Sequence, residues 1–218
     1  QRAISKAGDL AHGLKTPLAV LGQEAERLTA AGQYEPAAII GAQVERMRRQ
    51  IDYHLAHARA AASGSALGAS CAVRPSAEGL VRTLERLYVE KGVSIQQTIP
   101  PSHCVRVQRE DLDEMVGNLL DNACKWAKSR VSIEASEEQG YVAIVVDDDG
   151  PGLAPELREK VLQRGVRADE AAPGSGFGLA IVRDLAELHG GSISLGASPL
   201  GGVRARLSLP SCATAPLA

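Results

Sequence analysis

Two asparagines one helical turn apart, Asn118 and Asn122, precede Asp148-Asp149-Gly150-Pro151-Gly152 and then Gly174-Ser175-Gly176-Phe177-Gly178-Leu179. In this order the three segments predict a pocket for a magnesium-bound nucleotide. Glu114, Asn118 and Asn122 share one face if residues 109–127 are helical, because they stand at i, i+4 and i+8. Carboxamide and carboxylate oxygens are hard ligands. Magnesium keeps most of its waters, so Asn122 with Glu114 is a sufficient protein set. Lys125 adds a point charge suited to phosphate, and Asp121 flanks the same face.

The acidic run ends an apolar stretch, and one aspartate turned inward would accept the exocyclic amine of adenine. Gly150 and Gly152 allow close approach of backbone to a ligand. Gly174, Gly176 and Gly178, with Leu179, open a helix whose N–H groups suit phosphate. The segment matches neither a Rossmann fingerprint, for want of a βαβ unit, nor a Walker loop, for want of GK[ST]. The polar stretch before it carries Arg164 and Arg167 and reads as a lid whose guanidinium groups reach the terminal phosphate.

A nucleotide site needs an acceptor, and His12 is the candidate. It lies on a heptad-patterned segment in which Ile4, Ala7, Ala11, Leu14, Leu18, Leu21, Ala25 and Leu28 alternate at spacings of three and four. His12 and Thr16 fall off that seam, one turn apart and toward water, and Pro17 removes a helix hydrogen bond beside them. A second seam runs Ala37, Ile40, Val44, Met47, Ile51, Leu55 and Ala58, after a break at residues 29–36. One such hairpin buries too little by itself, so a homodimeric four-helix bundle is expected.

Beyond an Ala/Ser/Gly-rich linker the pattern becomes α/β. Helices are expected at 76–91, 109–127, 155–162 and 178–189. Strands are expected at 93–99, near 103–107, at 131–135, 142–146 and 193–195, and at 203–209, in a sheet with helices on one face. The expected divisions are a helical hairpin at 1–63, a linker at 64–74, a nucleotide-binding domain at 75–211 and a tail at 212–218. A net charge of -2 among 218 residues gives no reason to expect nucleic acid, and no apolar run is long enough to span a bilayer, so the segment itself is expected to make no membrane contact. The four cysteines lack metal-ligand spacing and read as reduced and cytosolic. The chain opens on Gln1, so a piece of a longer protein with an upstream membrane anchor is expected. His54, His57, His103 and His189 are assigned no chemistry.

Asn118-Leu-Leu-Asp-Asn122-Ala, Asp148-Asp-Gly150-Pro-Gly152 and Gly174-Ser-Gly176-Phe-Gly178-Leu179 resemble the N, G1 and G2 boxes of sensor histidine kinases, and His12-Gly-Leu-Lys15-Thr16-Pro-Leu resembles their H box. Leu200-Gly201-Gly202 through Pro210 is similar to the last glycine box and closing strand. The resemblance covers nearly the whole chain. It implies a Bergerat-type α/β sandwich, shared with gyrase and the Hsp90 chaperones, behind a dimeric histidine-bearing hairpin. It implies ATP and Mg²⁺ as ligands, with Asn122 on the metal, Asn118 and Lys125 on phosphates and Asp148 on adenine. His12 becomes the phosphoryl acceptor and Thr16 the residue that positions water for dephosphorylating a partner. That partner is a response-regulator receiver domain. The implied location is the cytoplasm, with the full-length protein held in the bacterial inner membrane.

Gly13 stands where the family places an acid beside the histidine, and Asp9 is one turn away to share that work. Asp9-x-x-His12, Asn-Ala-Cys-Lys125 and the lid Gln163-Arg-Gly-Val-Arg167 resemble the PhoQ-like branch. A phosphatase-biased enzyme, a non-catalytic nucleotide-switched dimer and a conformational ATPase of the same fold remain alternatives.

Overall fold

The structure is a computed structural model that describes residues 2–44, 47, 51, 69–163 and 178–212. The chain divides into two compact units, residues 1–64 and 65–218.

In the first unit, helix α1 spans Arg2–Ala30 and runs through Pro17. It stops at a turn over 31–33, where Gly32 adopts a left-handed φ of 77° that a side chain would strain. Residues 34–44 form helix α2. Leu18, Ala25, Ala37 and Val44 of the two heptad seams are buried, whereas Leu21 and Met47 remain substantially exposed.

The second unit holds a five-stranded mixed sheet. Its strands are β2 (Ser94–Thr98), β4 (Arg130–Glu138), β5 (Tyr141–Asp148), β6 (Ser192–Ala197) and β7 (Val203–Pro210), ordered β2-β4-β5-β7-β6. Only the β2–β4 pairing is parallel. Strands β1 (Cys71–Ala72) and β3 (Cys104–Val105) make a separate antiparallel pair. Helices α3 (Val73–Leu87), α4 (Arg109–Trp126) and α6 (Gly178–Leu188) cover the sheet, while α5 (Pro155–Arg158) is a single turn.

Alternation explains the layering. Val131 and Ile133 of β4 and Ala205, Leu207 and Leu209 of β7 are buried at every second position. α6 packs on β6 and β7, while against β4 and β5 lies the stripe Leu112, Met115, Val116, Leu119, Leu120, Ala123 and Cys124 of α4, whose three-and-one spacing gives one continuous apolar face. That leaves Glu114, Asn118, Asp121, Asn122 and Lys125 on the other side of the helix.

Several expectations shift. The helix expected at 76–91 begins at Val73 and ends at Leu87, followed by a turn of 3-10 helix at Val89–Lys91. The one expected at 155–162 stops at Arg158. β1 and the first residues of α3 fall within the stretch read as linker. The reading of all four cysteines as reduced is overturned, because Cys104 and Cys212 form a disulfide and only Cys71 and Cys124 remain free. Sequence spacing could not pair residues 108 apart. The pair forms because the chain leaving β7 lies beside β3, with Ser211 bridging Val105 and the Cys212 N–H donating to the Cys104 carbonyl at 2.9 Å.

Candidate functional site

Four elements of the second unit supply the described residues of the expected nucleotide pocket: α4, the end of β5, the start of α6 and the β6–β7 hairpin. β5 and the residue after it bring Asp147, Asp148 and Asp149 into the site, all buried and each compensated differently. Asp147 is held by Arg204 across the β5–β7 ladder, Nη2 to Oδ2 at 2.7 Å. Asp149 accepts the backbone N–H of Lys128 at 2.8 Å, that of Ser129 at 3.0 Å and the Ser129 hydroxyl at 2.8 Å. Burial opposes its charge, but those donors outweigh burial and hold its carboxyl below the usual carboxylate range.

Asp148 is the member left with ligand capacity. Its Oδ1 accepts the N–H of Gly150 at 2.8 Å and that of Val203 at 3.3 Å. Burial pushes its carboxyl up despite those two bonds, and the neighbouring Asp149 and Asp147 charges push the same way. Both N–H groups fall on one oxygen, so among the described residues Oδ2 is left to a donor such as an exocyclic amine. Gly202 makes the arrangement possible: its N–H donates to the Asp148 carbonyl at 3.1 Å. A methyl group there would overlap the carboxylate and come within 2.6 Å of the Asp148 carbonyl oxygen and the Gly150 nitrogen. Gly150 packs equally close on the carbonyl of Trp126, and Gly152 takes a left-handed φ of 78°.

On α4, the Asn118 carboxamide nitrogen donates to the Glu114 carbonyl at 2.8 Å, one turn back. That bond fixes the amide orientation and turns Oδ1 toward the first residue of α6. A Cβ on Gly178 would sit 2.8 Å from Asn118 Oδ1 and 3.6 Å from the Asn122 side-chain nitrogen. The helix N-terminus and the two asparagines are therefore in direct apposition, with Leu179 the next residue along α6. N–H groups at a helix start and carboxamide oxygens complement a phosphate chain and its counter-ion respectively. The oxygens of Asn118, Asn122 and Glu114 are neutral or anionic hard donors along one face, which fits magnesium. Lys125 is ion-paired with Asp121 one turn earlier.

Arg164, Arg167, Gly174 and Gly176 lie outside the described residues, as do His54 and His57. Asp9, His12 and Lys15 lie on α1, with their side chains outside the described set, while Thr16 is exposed. His189, given no chemistry, bonds Asp111 through Nε2 at 2.7 Å and joins α6 to the start of α4. His103 is buried.

The sequence reading missed the donors that aim Asp148, because backbone N–H groups carry no residue signature. It also missed Tyr88, whose hydroxyl donates to Asp121 at 2.8 Å, and Lys91, whose ammonium donates to the Cys124 carbonyl at 2.9 Å.

The family of histidine kinase-, DNA gyrase B- and HSP90-like ATPases matches residues 107–212. The sensor protein kinase CarS of Pseudomonas aeruginosa is 44% identical over 211 residues, 96% of this chain and 47% of CarS. The two-component sensor PhoQ of the same organism is 41% identical over 208 residues, 95% of this chain and 46% of PhoQ. The chain thus spans less than half the length of these curated relatives. Among solved structures, the mycobacterial sensor histidine kinase MprB superposes with a TM-score of 0.56 at 30% identity, covering 65% of this chain and 96% of that one.

Proposed function

The chain belongs to the PhoQ-like sensor histidine kinases, and from that premise we propose that it moves the terminal phosphoryl group of ATP to His12. The observation that carries the reading is the apposition of Gly178, at the head of α6, to Asn118 and Asn122. It sets the start of α6 opposite the Asn118 carboxamide oxygen with the Asn122 amide beside it, an arrangement suited to a metal-bound phosphate chain.

Asp148 binds the adenine amine through Oδ2, steered by the Gly150 and Val203 N–H groups on Oδ1. The Gly150 and Gly152 turn forms the wall beside it. Asn118 and Lys125 contact the phosphates, and the α6 start with Gly174, Gly176, Gly178 and Leu179 cradles them. Asn122 and Glu114 would hold Mg²⁺, whose charge, once bound, offsets that of the phosphates. Arg164 and Arg167 close from the lid. Catalysis by such a site is mostly positioning and charge stabilisation.

His12 attacks as the neutral imidazole. Asp9 serves as the orienting acid in place of the residue occupied by Gly13, and Lys15 adds a cation beside the departing charge. The phosphohistidine then gives its group to an aspartate of a receiver domain, which docks on the hairpin. Thr16, exposed on α1 one turn from His12, positions water for the reverse task of dephosphorylating that receiver. The exposed seam residues Leu21 and Met47 are covered by a second copy in a four-helix bundle. The whole protein is a membrane-anchored sensor with this segment in the cytoplasm; among the described residues no helix is long and apolar enough to cross a bilayer.

Gly13 favours a second reading, an enzyme biased toward phosphatase or toward nucleotide-driven switching, because the residue that would activate the imidazole is missing from its usual place. Incubation with γ-labelled ATP separates these readings. Acid-labile, base-stable label that disappears in His12→Ala supports the kinase. Label-free phosphate release supports an ATPase, and nucleotide binding with neither supports the switch.

A further inference from the structure

Lys125 is exposed but its ammonium is already partnered. Its ammonium pairs with Asp121, one turn back on α4, and the other carboxylate oxygen of Asp121 accepts the Tyr88 hydroxyl at 2.8 Å. Tyr88 follows the last residue of α3, and its own N–H caps that helix by donating to the Leu84 carbonyl at 2.8 Å. The Lys91 N–H donates in turn to the Tyr88 carbonyl at 3.0 Å, and the Lys91 ammonium caps the end of α4 by donating to the Cys124 and Lys125 carbonyls. The corner between α3 and the 3-10 turn thus grips the last turn of α4 twice, once through backbone carbonyls and once through Asp121.

We propose that Tyr88 is a positioning residue for nucleotide binding, acting through Asp121 to set how readily Lys125 is released to phosphate. The inference rests on the reading that Lys125 meets the phosphate chain. The physical argument is competition for one cation. Asp121 and a phosphate oxygen both seek the Lys125 ammonium, which lies on the same stripe of α4 as Asn118 and Asn122. A hydroxyl donating to Asp121 draws on the same carboxylate charge and weakens its hold on the lysine. Burial and the bond to Asp121 both push the Tyr88 hydroxyl up, so it remains a donor throughout the range in which the enzyme is handled. Without that donor, Asp121 holds Lys125 more firmly and phosphate must displace a stronger rival.

The test uses the whole chain and two probes, Mg-ATP and adenosine, with isothermal titration of wild type, Tyr88→Phe, Asp121→Asn, the double variant and Lys125→Ala. Tyr88→Phe is expected to weaken Mg-ATP about three- to tenfold and to leave adenosine unchanged. Asp121→Asn is expected to bind Mg-ATP at least as well as wild type and to erase the effect of adding Tyr88→Phe. A general loosening of the fold would move both probes together and persist in the Asp121→Asn background; either result overturns the proposal, as does unchanged Mg-ATP affinity in Tyr88→Phe. Lys125→Ala checks the underlying reading separately. If it leaves Mg-ATP affinity intact, Lys125 is not a phosphate contact, and that is visible before the Tyr88 variants are compared.

Discussion

Replacing Asp148 with asparagine isolates what the buried carboxylate does for a ligand from what it does for the fold. The side chains are nearly isosteric, and the surroundings dictate how the amide sits. Gly150 and Val203 both donate to Oδ1, at 2.8 Å and 3.3 Å, so the carboxamide oxygen must take that place and the NH₂ group replaces Oδ2. On the proposed reading, the atom turned toward adenine then changes from acceptor to donor and faces the exocyclic amine, itself a donor. One bond to a charged acceptor is lost, worth about 1.5–3 kcal/mol, and a desolvated donor goes unsatisfied at a further ~1–3 kcal/mol. The sum, about 2.5–6 kcal/mol, corresponds to a rise in Kd of between about fiftyfold and roughly ten-thousandfold. The fold should barely notice. Burial raises the Asp148 carboxyl above its unfolded value, so its favourable contribution to stability exists below about pH 4 and is lost as pH rises through the folded value. At neutral pH the variant therefore equals or exceeds wild-type stability, and the gap narrows on acidification. Titration calorimetry with Mg-ATP and urea unfolding at several pH values measure both parts. A loss of affinity under about tenfold, or a parallel collapse of stability, would refute this account of the site.

Asp149→Ala, next in sequence, should do the opposite: unfolding stability falls by about 2–4 kcal/mol because the donors of Lys128 and Ser129 lose their acceptor. Because its folded carboxyl is depressed, the stabilisation it gives is present above about pH 4 and lost as pH falls through the folded value, so an acid-unfolding series should show wild type converging on the variant. Gly178→Ala introduces a methyl group 2.8 Å from Asn118 Oδ1, and nucleotide affinity should drop by roughly 1–3 kcal/mol of overpacking, read by the same titration. Cys104→Ser, or reduction of wild type, should cost about 2–5 kcal/mol in thermal or urea unfolding, since the bond closes a loop of 108 residues; an unfolding curve indifferent to reductant would contradict the pairing.

How far the sequence could be read depended on where each residue's job is written. The apposition of Asn118, Asn122 and Gly178 was legible because their types and spacing predict one shared pocket, and the structure brings them within contact distance. The heptad seams announced Leu18, Ala25, Ala37 and Val44 as buried for the same reason: periodicity is a property of the chain itself. The sheet was legible as alternation, yet helix ends slipped by several residues. The helix expected to reach residue 91 ends at Leu87, where the Tyr88 cap and the 3-10 turn take over, and no single residue advertises that change. The disulfide was invisible because it depends on the chain after β7 returning beside β3.

The division of labour among Asp147, Asp148 and Asp149 shows why the remainder could not be read. Three identical side chains in succession carry no difference in sequence. Partners from elsewhere in the chain separate them: Arg204 neutralises the first, Ser129 and Lys128 lock the third, and the N–H groups of Gly150 and Val203 aim the second. Among the described residues, Asp148 alone of the three is left with an oxygen that neither bond occupies. Gly202 was recognisable as part of a glycine box, but its reason is the Asp148 carboxylate, which sits where a side chain would go. A substitution at Gly202 should therefore behave as a mutation of Asp148 rather than of a loop, abolishing nucleotide affinity along with the orientation of that carboxylate. Gly201, one residue earlier and with open space around its Cβ position, has no such neighbour. It does require a φ of 108°, so Gly201→Ala should lower stability by about 1–3 kcal/mol through strain while leaving residual nucleotide affinity in the folded fraction close to wild type. If the two glycine variants lost affinity equally, the hairpin would be acting as a mobile loop over the nucleotide, and the assignment of Gly202 to the support of Asp148 would be wrong.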